Sequence, residues 1–278
     1  MSNTTVSGHS PAAPGPFHPC IVIPFYNHAE SIPAVVRSLK SLGLRCYLVN
    51  DGSDASCDDV LAQLAREESA WLQVIAYQPN QGKGRAVMTG VEAAVRDGHT
   101  HVAQIDADGQ HRVRDLKRLL QIARSNPDAM ITGYGEFDAS VPRSRLYGRY
   151  ITHVWVWINT LSLQVRDSMC GLRIYPVSPT LAIWRGSKLG TRMSFDIEIL
   201  VRLCWRGVRI INVKVQVTDP MDGISHFKVL RDNVQISMSH ARMFIGMLLR
   251  LPVILWHNLR RWSGTSAIEL PDNYHENA

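Results

Sequence analysis

Short apolar runs alternate with helical stretches through the N-terminal half of the chain, and this alternation restricts the fold more than any other feature. Residues 20 to 25 (CIVIPF) pass through YNHAES to Pro33, where Ser31 is the expected cap of a helix that Gly43 stops. CYLVN (46 to 50) meets DGSDAS before a helix near 57 to 69, and LQVIAY (72 to 77) meets QPNQGKG before a helix ending at Gly98. HVAQID (101 to 106) meets ADGQH before an amphipathic segment from about 113 to 125. A strand–loop–helix unit repeated in this way predicts an α/β fold, a mostly parallel sheet with helices on both faces. Ligands of such sheets gather beyond the carboxyl ends of the strands.

The unusual loop residues all fall on that edge: Pro24, Tyr26 and Asn27 in the first unit, Asp51 and Gly52 in the second, Lys83 in the third, Asp106 and Asp108 in the fourth. Acids one residue apart repel each other, so Asp106 and Asp108 belong either to a solvated Asp/Gly turn or to a site for a hard divalent cation. In the second reading Asp108 and Gln110 present oxygens to Mg2+ or Mn2+, with Asp106 ligating directly or orienting a bound nucleotide. Their position on the ligand edge favours the cation. Asp51 suits hydrogen bonds from a base or ribose, although Asp-Gly-Ser is also ordinary turn chemistry. The Gly82-Lys83-Gly84 triplet lacks the rest of a P-loop pattern, which leaves Lys83 either reaching an anionic ligand or solvated.

With 278 residues, 45% of them hydrophobic, the chain is long enough for one large domain with appendages. Its net charge of +6 suits an anionic partner: a nucleotide, a phosphorylated substrate or an acidic membrane surface. The basic residues form no dense stripe, and no nucleic-acid-binding motif is present, so nucleic acid is not an expected partner. Five cysteines form no C-x-x-C pair, which points away from a disulfide framework or zinc knuckle and towards a reduced compartment. Residues 1–18 read as a disordered tail rather than a signal peptide. The apolar stretch 243 to 256 is short for a membrane span and is broken by Arg250 and Pro252.

Six stretches in order, VIPFYNHAESI, VNDGSDAS, NQGKGRAVMTGVEAA, QIDADGQH, DSMCGLRIYP and SFDIEILVRLCWRG, resemble family 2 glycosyltransferases of the GT-A fold, and within them the dolichyl-phosphate mannose synthase-like branch. The resemblance implies a nucleotide-diphosphate sugar donor, a divalent metal and inversion at the anomeric carbon. It implies a donor set of Pro24, Tyr26, His28, Asp51, Lys83, Asp106, Ala107 and Asp108, with Asp106, Asp108 and Gln110 at the metal. Gly171 and Arg173 match the turn beneath the acceptor site. The chain departs from the pattern at His28, where the family usually writes Y-N-E, and at PMDGISH (220 to 226), where a basic loop is usual, leaving His226 and Lys228 as substitutes. The implied layout is a catalytic domain over residues 19–228, a C-terminal amphipathic helical segment over 229–262 and a flexible tail over 263–278.

On the acceptor side, residues 143 to 165 start with Arg143, Arg145 and Arg149 and continue into a Trp-rich apolar run in which Trp155 and Trp157 cannot share a helical face. This is either a core helix with a basic end or an interfacial helix whose arginines meet an acceptor phosphate or lipid head groups. The segment 240 to 262, apolar and ending in Arg260, Arg261 and Trp262, suits lying on a bilayer, with oligomer packing as the alternative. Asp196 and Glu198 follow Ser194, an expected helix cap, and are either first-turn acids that favour the helix dipole or a catalytic base. A hydroxyl acceptor needs such a base, whereas a phosphate acceptor is already anionic and needs the arginines. The expectation is therefore a metal-dependent inverting sugar transferase, peripheral on the cytoplasmic face of the membrane, with polyisoprenyl phosphate as acceptor. A hydroxyl-bearing lipid or polyene acceptor, and an inactive nucleotide-binding module, are the alternatives.

Overall fold

The computed structural model describes residues 17–136, 143–217 and 229–262. In chain order the first half runs β1 (Pro19–Phe25), α1 (Ile32–Leu39), β2 (Cys46–Asp51), α2 (Asp58–Glu67), β3 (Leu72–Tyr77), α3 (Lys83–Arg96), β4 (His101–Gln104) and α4 (Val113–Ser125). The second half runs β5 (Met130–Glu136), α5 (Arg143–Thr160), β6 (Arg173–Pro176), α6 (Val177–Gly186), α7 (Phe195–Trp205), β7 (Ile210–Gln216), α8 (Val229–Leu248) and α9 (Leu251–Trp262). The seven strands form one sheet in the order β3-β2-β1-β4-β6-β5-β7. All are parallel except β6, which is antiparallel to β4 and β5. This is the GT-A architecture.

Alternation along the strands divides the interior in two. Val22, Tyr47, Val49 and Val102 point to the layer of α3, α6 and α7, while Ile21, Ile23, Leu48 and Ala103 point to that of α1, α2 and α4. Gly90 lets α3 lie directly on β1, since a Cβ there would overlap Val22.

The chain builds outward from β1 through β2 to β3, then returns to place β4 on the other side of β1. That reversal opens a crevice at the carboxyl ends of β1 and β4. The strand expected over 101 to 106 stops at Gln104; its ladder ends with Ile105 N–H donating to Val22 O, 3.2 Å. Asp106 is thereby freed to turn into the crevice.

Both expected serines stand at the N-cap position, but neither makes the side-chain capping bond. Ser31 makes no cap bond to α1; its hydroxyl donates to Ala107 O at 2.7 Å and so ties the start of α1 to the Asp106–Asp108 loop. Ser194 makes no cap bond to α7 either. The five cysteines are free and buried, and burial, then the charge of Asp167, pushes the Cys170 thiol up to about 12, as an inert core residue requires. Among the described residues no single helix is long and apolar enough to cross a membrane; α8 and α9 pass that test only together, with an 82° bend between them.

Candidate active site

The first three loops are laced together before any ligand enters. Asn27, held at φ 56°, donates through Nδ2 to Asp54 Oδ2 (2.8 Å) and accepts the Asp54 N–H (2.9 Å), and its own N–H donates to Ser53 Oγ (3.0 Å). Asp51, 2% exposed at the tip of β2, accepts from Gln81 N (2.7 Å), Gly82 N (2.8 Å) and Asn80 Nδ2 (3.0 Å). Its carboxylate therefore shapes the third loop directly. Gly52 must remain glycine, because it has φ 68° and a Cβ would run into the backbone of Asn80 and Pro79. Pro24 is buried within β1, and Tyr26 and His28 follow it half-buried in the first loop.

At the centre lies a lysine between two acids. Lys83 Nζ, on the first residue of α3, is 2.9 and 3.0 Å from the two oxygens of Asp106 and 3.0 Å from Asp196 Oδ2. Burial alone would lower the lysine's pKa, but Asp106 and Asp196 outweigh it and raise it, so the ammonium stays charged. Burial likewise opposes ionisation of Asp106, and the nearby Lys83 and His111 overcome it, leaving this carboxyl below the ordinary range. Asp108 goes the other way: burial, then repulsion from Asp106, pushes it up. Lys83 is thus paired rather than solvated, and it bridges the donor loop and α7.

Gly171 packs against the Asp106 carboxylate so closely that a Cβ would overlap it. Gly109 takes φ 75° and lets the Gln110 N–H close on Asp108 Oδ1 at 3.0 Å. His111, absent from the sequence-derived site, brings a half-buried imidazole whose buried Nδ1 has no partner among the described residues. Burial lowers its pKa against the pull of Asp106 and Asp108. Among the described residues no group of three His, Cys, Asp or Glu side chains forms a preformed metal cluster. The oxygens of Asp106 and Asp108, with the side chain of Gln110, still fit a hard divalent cation whose other ligands come from a bound diphosphate.

Asp196 and Glu198 part company. Asp196 accepts from Gln104 Nε2 (3.5 Å) as well as from Lys83, and Arg173 lies 3.5 Å away. Glu198, two residues on, turns to α8, accepting from Ser239 Oγ at 2.8 Å with Arg242 at 3.5 Å. Arg173 is fully buried and donates to Cys170 O (2.8 Å), Ser168 O (2.7 Å) and Asp196 O (2.6 Å). It fastens the 168–171 turn to α7 from inside, a positioning role rather than contact with substrate. Arg149 pairs with Asp167, a partner the sequence reading missed, although it opens the DSMCGLR stretch. The side chains of Arg143 and Arg145, and all of residues 218–228 with His226, lie outside the described residues, as do the tails 1–16 and 263–278.

The glycosyl transferase family 2 model matches residues 20–185. The chain belongs to glycosyl transferase family 2. This family 2 glycosyltransferase is 24% identical over 84% of its length to a polyprenol monophosphomannose synthase of Mycolicibacterium smegmatis, covering 89% of that protein. It is 26% identical to an undecaprenyl-phosphate mannosyltransferase of Micrococcus luteus, covering 70% of this chain and 81% of the other. These relatives agree with the dolichyl-phosphate mannose synthase-like branch. The fold resembles glucosyl-3-phosphoglycerate synthase of Mycobacterium tuberculosis (14% identity, 84% of this chain and 79% of that one, TM-score 0.59). It also resembles a mannosyltransferase of Pyrobaculum calidifontis in complex with GDP-Man and Mn2+ (14% identity, 90% and 76%, TM-score 0.51).

Proposed function

We propose that this glycosyltransferase moves a sugar from a nucleotide-diphosphate donor to a polyprenyl phosphate at a membrane surface, with divalent metal and with inversion. The observation that carries the reading is the Asp106–Lys83–Asp196 bridge beside Asp108, at the carboxyl ends of β1 and β4. Relatives named for polyprenyl- and undecaprenyl-phosphate substrates support the acceptor class.

In this reading Asp51 holds the third loop in place for the nucleotide, and Pro24, Tyr26, His28 and Ala107 line its path. Asp106, Asp108 and Gln110 would hold Mg2+ or Mn2+, which when bound stabilises the negative charge gathering on the departing diphosphate. Lys83 supplies a fixed positive charge at the same place. The acceptor oxygen attacks the anomeric carbon from the face opposite the diphosphate, forming one C–O bond as the other breaks. Asp196 is already engaged by Lys83, Gln104 and Arg173. That engagement supports an acceptor that arrives ionised and needs no base, in preference to a hydroxyl.

The test is turnover of nucleotide sugars with polyprenyl phosphate against a polyprenol of equal length, with Mn2+ and with chelator. The reading requires product from the phosphate and loss of it in chelator. Product from the alcohol alone would reassign Asp196 as a base, and no product from either, with nucleotide still bound, would leave a binding module.

A further inference from the structure

Away from the crevice, three guanidiniums gather where α7, α8 and α9 meet. Arg202 and Arg242 share one carboxylate, Glu198, at 4.0 and 3.5 Å. Arg202 and Arg250 both lie over the ring of the buried Trp205, at 5.8 and 5.4 Å from its centroid. One acid thus faces two cations while the third, Arg250, donates to Gly246 O (3.0 Å); Arg202 donates to Lys188 O (3.3 Å), and its Nε is buried without a partner among the described residues. Burial lowers the Arg202 pKa; Glu198 opposes this, while Arg250 and Arg242 add to it, the mark of crowded like charge. Such an excess calls for an anion.

The surroundings say which kind. Met238, Arg242 and Ile245 are spaced i, i+4 and i+7, so Arg242 lies within a single stripe of α8, and Leu249 follows just past the helix end. That stripe is exposed: Met238 61%, Ile245 60% and Leu249 78%. Past Arg250, α9 also exposes apolar side chains, Val253 at 52% and Leu259 at 62%. An arginine set within an exposed apolar stripe satisfies both halves of a lipid, carbon chains beside it and phosphate at its head.

We propose that Arg202, Arg242 and Arg250 form a site for the phosphate of an anionic phospholipid, seating the α8–α9 face on the bilayer independently of the sugar acceptor. The site rests on the membrane-surface reading above and specifies its lipid. Free phosphate offers the same anion without the chains.

The experiment is flotation of the full chain with vesicles, without donor or acceptor. Going from pure phosphatidylcholine to ~30% phosphatidylglycerol should tighten binding of the parent chain about tenfold or more. Arg242→Ala/Arg250→Ala should lose that gain, with turnover in detergent unchanged. Arg242→Gln, at a position whose side chain is 66% exposed, should lose it as well, with Ser239 still donating to Glu198. Variants that keep the gain overturn the site, and so does displacement of the parent by millimolar inorganic phosphate or a concentration-dependent dimer that excludes vesicles. Equal binding to both vesicle types overturns the site and leaves the membrane reading standing. Binding to neither ends both, while turnover in detergent still judges the sugar transfer separately.

Discussion

The carboxyl edge of the sheet and the α8–α9 face treat charge in opposite ways. At the edge, Asp51, Asp106 and Asp196 are largely withdrawn from water and each meets named donors at 2.7 to 3.5 Å. On α8–α9, apolar side chains stand in solvent, and Arg242 shares the Glu198 carboxylate with Arg202 of α7. A buried charge must be answered by its neighbours, so the edge is rigid and intolerant. Exposed apolar surface makes little difference to folding and much to association, so the helical face is tolerant in isolation and sensitive in contact.

The largest effect that contrast predicts is on turnover. Asp108→Ala removes a carboxylate that we propose holds the metal, and transfer should fall about a thousandfold. The Mn2+-dependent part of the thermal shift given by nucleotide diphosphate should disappear with it; an unchanged shift would put the cation elsewhere.

Lys83→Met leaves Asp106 and Asp196 facing each other without their shared cation. Urea unfolding in chelator should show a loss of about 3 kcal/mol. Mn2+ with nucleotide diphosphate should restore part of it, because the added cation takes over part of the ammonium's task. No loss would mean that the edge is less tightly specified than its distances indicate.

Arg149→Ala tests the seam between the two regions. Burial would raise the Asp167 pKa, but Arg149 outweighs it and the carboxyl is lowered. A lowered folded-state pKa gives stability that is present above the unfolded carboxylate value, near 3.9, and is lost as pH falls through the folded value. The variant should lose about 2 kcal/mol at neutral pH, and its stability should fall less steeply in acid than the parent's. A parent curve without that acid slope would return Arg149 to a purely acceptor-facing role.

The smallest effect belongs to the other region. Ile245→Ser and Leu249→Ser should each change unfolding free energy by less than about 0.5 kcal/mol while weakening vesicle flotation. A large loss of stability would show that this face is covered by something within the fold.

Local pattern made the first four strands and helices legible, because burial on one face imposes periods of 2 and about 3.6 residues on any chain. The rule that ligands meet the carboxyl ends of parallel strands then brought Asp51, Lys83, Asp106 and Asp108 to one edge without coordinates. What each side chain touches was decided elsewhere. Ser31 has the composition of a cap and serves instead as a tie to Ala107, 76 residues away. Gln104 reaches Asp196 across 92 residues, and Arg173 is wholly interior. Asp196 and Glu198, two residues apart in sequence, face different neighbours because each helical step turns by about 100°, about 200° between them. The reversed strand β6, which puts Gly171 against Asp106, has no signature in its own residues. Sequence records the period of burial, a local property; partners for buried charges come from chain crossings far apart in number, and only the assembled sheet brings those together.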